Sequence, residues 1–125
     1  MTWTIDVRAE PPGPIEAGAD VWVWVKAEAS EATTCRAIQC QVSWSTRGRG
    51  TPDTACVFEG RADGGPSQPG SPLTAEFHFA VPAAGPITYS GTLIRIDWQV
   101  RVWLDLAWTQ DPEASTELVV VPRRS

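Results

Sequence analysis

The sequence predicts an all-β fold in which two antiparallel sheets, about seven strands in total, pack face to face as a sandwich. Three observations carry this. Apolar side chains recur at every second position in one stretch after another, the period that buries one face of a strand and wets the other. Pro and Gly, 11 and 10 among 125 residues, are spread along the chain, which suits many short turns better than long helices. Helical periodicity is nearly absent. Residues 28–36 offer at most one turn, and the adjacent Thr33 and Thr34 weaken even that.

The elements follow in order. Trp3, Ile5 and Val7 alternate with Thr2, Thr4, Asp6 and Arg8, and this strand stops before Pro11-Pro-Gly-Pro14, which cannot supply ladder donors. After a turn at Ala17-Gly18, Val21, Val23, Val25 and Ala27 alternate with Trp22, Trp24, Lys26 and Glu28. Ile38, Cys40, Val42 and Trp44 alternate with Gln39, Gln41, Ser43 and Ser45. A short strand is expected at 55–59. Residues 60–72, with four Gly and three Pro, read as a mobile surface loop. Leu73, Ala75, Phe77, Phe79 and Val81 form the next inward face, with Thr74, Glu76 and His78 on the other.

The clearest alternation runs over 92–107. Ile94, Ile96, Trp98, Val100, Val102, Leu104 and Leu106 hold one parity, and Arg95, Asp97, Gln99, Arg101 and Asp105 the other. A straight strand of that length is unusual. A bend or bulge is therefore expected, one that carries the chain along the edge from one sheet to the other. Residues 116–121 give a last strand before Pro122-Arg-Arg-Ser125. The expected organisation is one domain over 1–122 and a flexible tail at 123–125.

The segment Phe77-His-Phe-Ala-Val-Pro82, followed by Pro86-Ile-Thr-Tyr-Ser-Gly91 and the long strand ending at Val102-Trp-Leu-Asp-Leu-Ala-Trp-Thr-Gln-Asp111, resembles the arrestin-like superfamily, which includes the bacterial sporulation-control-type proteins. The likeness is best over 73–121 and compatible over 15–45. It implies an immunoglobulin-like, arrestin-like sandwich that binds proteins. Arrestins proper join two such sandwiches by a hinge, and this chain has length for one, so receptor engagement and interdomain rotation do not carry over. In the corner itself, Pro86 belongs at a turn, and Gly91 is expected to adopt a conformation closed to other residues. Tyr89 is expected to pack on the end of the sandwich, with its hydroxyl bonded to backbone.

Composition excludes several classes. A net charge of -5 and a pI near 4.7 oppose broad nucleic-acid binding, which needs a basic face. Arg47-Gly-Arg-Gly50 is a small basic loop at most. The first residues lack the basic leader and apolar core of a signal peptide, and no run has the roughly 20 apolar residues of a membrane span. A cytoplasmic setting with reduced thiols is the expectation. Lys26 stands alone among ten basic residues, a bias that points to a GC-rich bacterial genome.

No cofactor, metal or catalytic centre is expected. Cys35, Cys40 and Cys56 have neither redox nor zinc spacing. His78 sits between two core phenylalanines on the polar parity, with no nucleophile elbow to serve. Asp97, Asp105, Asp111 and Glu113 could pair for acid–base work. However, Arg95 and Arg101 share a strand face with Asp97 and Asp105, the pattern of a solvated face crossed by ion pairs. Asp111-Pro112 reads as a turn.

Seven tryptophans remain to be sorted. Trp3, Trp44, Trp98 and Trp108 share parity with aliphatic residues and are expected in the core. Trp22, Trp24 and Trp103 share parity with charged residues and are the candidate protein-binding residues. Either the 46–72 segment folds over them, or they meet a partner protein or a second copy of the chain. A third use is to stack sugars, as in a carbohydrate-binding or adhesin-type immunoglobulin-like module. A structural subunit of a larger complex is the remaining alternative.

Overall fold

The computed structural model describes residues 2–48, 50, 52–91, 93–107 and 109–123. Within them every regular element is a strand: β1 (Trp3–Glu10), β2 (Ile15–Glu16), β3 (Asp20–Ala29), β4 (Thr33–Gly48), β5 (Thr54–Ser67), β6 (Leu73–Ala80), β7 (Tyr89–Ser90), β8 (Ile94–Asp105), β9 (Glu113–Leu118) and β10 (Val120–Val121). One sheet has the order β1-β3-β6, antiparallel throughout. The other has the order β5-β4-β8, with β7 and β9 sharing the second edge of β8. β10 pairs parallel with β2.

The two sheets meet across one apolar layer, as the alternation requires. Val21, Val23 and Val25 of β3, with Phe77 and Phe79 of β6, join Ile38, Cys40 and Val42 of β4 and Trp98, Val100, Val102 and Leu104 of β8 in a single buried cluster. Trp98 is 1% exposed, and its indole N–H donates to the Pro86 carbonyl at 3.1 Å, so its burial leaves no polar atom unpaired. Truncating an aromatic held this way costs about 3–5 kcal/mol. Trp3 and Trp44 are only half-buried against the same cluster. Trp108 lies outside the described residues, as do Arg124 and Ser125 of the expected tail.

Three expectations need correction. The loop expected at 60–72 is mostly strand, because β5 continues to Ser67 and stays paired with β4 as far as Thr33. Two of its three glycines, Gly60 and Gly64, are required by space. A Cβ on Gly64 would stand 2.1 Å from the Cys35 carbonyl oxygen, and one on Gly60 would stand 2.7 Å from the Phe77 ring. Pro66 is tolerated because β5 is an edge strand. Only Gln68 to Ser71 forms a tight turn.

The second correction concerns the long strand. β8 keeps one uninterrupted register against β4, from Asp105 opposite Ala37 to Ile94 opposite Gly48. It stays in one sheet, because β4 on one edge and β7 and β9 on the other hold it. The irregularity falls instead in β5, where Val42 faces Phe58 and Ser43 faces Cys56, leaving Val57 as the extra residue of a bulge. The chain changes partners after β9, where Val119 is exposed and Val120 pairs with Ile15. Third, no helical turn forms at 28–36. Residues 30–32 bend between β3 and β4.

Candidate functional site

On β3 the even-numbered side chains point away from the core, and this strand lies at the centre of its sheet. Trp22 and Trp24 therefore stand side by side on the outer face, 39% and 47% exposed. The ladder places Glu10 of β1 and His78 of β6 opposite Trp22, and Arg8 and Glu76 opposite Trp24. The His78 ring lies 5.0 Å from that of Trp22 at 32°, and its Nε2 is 3.1 Å from Asp20 Oδ1. Asp20, His78 and Trp22 thus restrain one another, which narrows the rotamers open to the indole. A shallow groove of about 460 Å3 opens beside Trp24, lined by Asp6, Arg8, Lys26 and Thr74. The strands that the described residues of the 46–72 segment form, the end of β4 and β5, belong to the other sheet and do not cover these rings.

Trp103 is elsewhere. It lies on β8 with outward parity, on the outer face of the opposite sheet. There it is half-buried, with the Arg101 guanidinium 4.7 Å from its ring centroid. Arg101 is also tied to Glu113 at 2.6 Å. The structure brings Trp22 and Trp24 together and separates Trp103 from them, because parity along a strand assigns a side chain to a face but not to a layer.

The carboxylates that could serve acid–base chemistry are already engaged. Asp97 accepts from Arg47 and Arg95, each at 2.9 Å, and the Arg47 hydrogen bond above all holds its carboxyl below the usual range. Asp105 pairs with Arg36 at 2.6 Å and lies 3.7 Å from Arg61. Asp111 accepts from the Leu106 amide at 3.0 Å. Burial raises the thiol of Cys35, and burial pushes Cys40 up to about 12. Cys56 is exposed. Among the described residues no three His, Cys, Asp or Glu side chains are grouped to hold a metal ion.

Two surface features escape the alternation. Tyr89, Leu93 and Ile94, between 47% and 56% exposed, form an apolar tip where β7 meets β8. Ile94 has core parity but, as the first residue of β8, is exposed, which a one-dimensional pattern cannot register. A second groove of about 490 Å3 runs between Pro11–Ile15 and Thr116–Val119. It brings together segments a hundred residues apart, and the proline-rich run was the single local sign of it.

No family model matches the chain, and no curated protein matches it. Among solved structures it is similar to the sporulation control protein Spo0M from Bacillus subtilis, with a TM-score of 0.78 at 21% identity over 97% of this chain. The fold is arrestin-like. This chain spans 50% of the length of the Spo0M chain.

Within the arrestin-like sandwich, the Pro86–Gly91 corner is built differently from the sequence expectation. Thr88, and not Tyr89, ties it down. Its amide donates to the Val120 carbonyl at 2.9 Å, and its hydroxyl accepts from the Val120 amide at 2.8 Å. Tyr89 is 52% exposed. Gly91 has no positive φ, and a Cβ there would lie 2.7 Å from the end of the exposed Tyr89 side chain, which has room to turn away. No helix among the described residues is long and apolar enough to cross a membrane.

Proposed function

We propose that this chain is a non-enzymatic, protein-binding adaptor or scaffold of the arrestin-like type, acting in the cytoplasm through the outer face of the β1-β3-β6 sheet. The observation that carries the reading is the adjacent, exposed Trp22 and Trp24 at the centre of that face. Covering an aromatic of this size gains roughly 1.5–3 kcal/mol, and paired aromatics within a polar rim have the composition of interface hot spots. The non-enzymatic part is supported by the carboxylates, each held by arginine or backbone, and by His78, which is tied to Asp20 and Trp22. Trp103, on the other face, would serve a separate contact. A control role such as the one Spo0M is named for would be exercised through such contacts.

The test is covalent cross-linking in the native host, followed by purification of the wild type and of Trp22→Ser/Trp24→Ser. The wild type should carry a partner, or a second copy of itself, that the double variant loses while its melting temperature holds. Undiminished capture by the variant would overturn the reading. The groove beside Trp24 favours a second reading, a carbohydrate-binding module. Ring stacking on a glycan array, lost in the same variant, would establish it.

A further inference from the structure

We infer that the outer face of the β1-β3-β6 sheet takes an extended, arginine-bearing segment of a partner protein, of the form Arg-x-Arg, laid along β3. This rests on reading that face as protein-binding, and it adds the chemistry of what is bound. The spacing comes first. Trp22 and Trp24 are two residues apart on an unbroken strand, so their roots lie roughly 6.6 Å apart. An extended guest repeats its same-side side chains at the same interval, so alternate arginines reach both indoles at once.

Charge comes second. Glu10 stands opposite Trp22 on one side and Glu76 opposite Trp24 on the other. Residues paired this way have Cβ atoms about 5 Å apart, so a cation over either ring is within reach of a carboxylate. Both glutamates are exposed. Among the described residues neither takes part in an ion pair or a side-chain hydrogen bond. Asp6 is already met by Arg8 and Asp20 by His78. The face therefore presents two aromatic planes, each with an exposed glutamate beside it, while Arg8, the other cross-strand neighbour of Trp24, is paired with Asp6.

A guanidinium fits that pair of features better than an ammonium does. It stacks flat on an indole while its edge forks to a carboxylate. Lys26 follows two residues after Trp24 on the same outward parity. It disfavours a third cation and so limits the motif to two arginines.

The test uses the full chain and three fluorophore-labelled peptides read by anisotropy: Ala-Arg-Ala-Arg-Ala, Ala-Arg-Arg-Ala-Ala and Ala-Gln-Ala-Gln-Ala. The alternating arginine peptide should bind most tightly and the glutamine peptide not at all. Trp22→Ser/Trp24→Ser should weaken binding about tenfold, and Glu10→Gln/Glu76→Gln about threefold. Glu31→Gln/Asp63→Asn removes the same charge elsewhere, in the bend after β3 and on β5 of the other sheet, and should leave binding unchanged. Equal binding of the two arginine peptides, or an equal loss in the distal double variant, would reduce the effect to net acidity and overturn the inference. So would binding of cellohexaose in place of the peptide. If cross-linked capture depends on Trp22 and Trp24 while no arginine peptide binds, the cationic motif falls and the protein-binding reading stands. If neither depends on those tryptophans, both fall.

Discussion

Substituting Gly64 by alanine separates a strand from a loop at the point where sequence and structure disagree most. In a mobile loop this change is harmless or slightly stabilising, because it lowers the entropy of the unfolded chain. In β5 the new methyl would lie 2.1 Å from the Cys35 carbonyl oxygen and 2.7 Å from the Arg36 carbonyl carbon. Ordinary contact needs about 3.5 Å, so the edge strand must retreat by more than an ångström from β4. The obstacle is backbone of an interior strand, which has no rotamer to change. The cost belongs at the upper end of the overpacking range, about 3 kcal/mol, or a fall in melting temperature of roughly 10 °C at this chain length. Gly70→Ala is the control. Its φ is +85° with nothing near its missing Cβ, so backbone strain of about 1 kcal/mol is all it should lose. Thermal unfolding followed by circular dichroism reads both. A Gly64→Ala protein that melts with the wild type would remove the pairing of β5 beyond Gly60, and with it the account of the second sheet's edge.

Two further outcomes follow from the side chains. With a thiol-specific reagent at about pH 8, the native protein should label at exposed Cys56 and not at buried Cys35 or Cys40, whose thiols burial raises. Labelling of all three at similar rates in the native state would contradict the dry interlayer. Asp97 is held below its ordinary value of 3.8, chiefly by Arg47. The stability it contributes is therefore complete above the unfolded value and is lost as pH falls through the lower folded one. Asp97→Asn should thus lose stability in urea unfolding at about pH 6 and converge with the wild type towards about pH 2. A difference independent of pH would remove the ion pairs from the account.

The alternation made the core legible because burial in a sandwich acts on every second side chain of every long strand. Val21 to Ala27 and Trp98 to Leu104 alternate in the structure as the sequence predicts. β5 was illegible because its pattern is broken by Gly60, Gly64, Gly65 and Pro66, residues that ordinarily announce a loop. The reason for Gly64 lies across the ladder, in the backbone at Cys35 and Arg36, and that for Gly60 lies across the core, in the ring of Phe77. A glycine needed for close approach and a glycine needed for a turn look alike until the neighbouring strand is in place. The bulge at Val57 has the same origin: it shows in the register between two strands, not in either one alone.

The candidate site was half legible for a related reason. Parity separated Trp22, Trp24 and Trp103 from the four tryptophans with core parity, and all three do point outward. It could not show that β3 and β8 belong to different sheets, which turns one expected surface into two. The sheet assignment also explains why their surroundings differ. Trp103 has Arg101 over its ring, and Arg101 has Glu113, so its charge and its aromatic plane are satisfied within the chain. Trp24 has Glu76 across the ladder on one side, and Arg8 on the other side is itself paired with Asp6. A ring already paired in this way gains little from a guest, whereas a ring beside an unmatched carboxylate gains both stacking and charge. On that difference, binding should respond to substitutions at Trp24 and not at Trp103, although the two are indistinguishable by alternation alone.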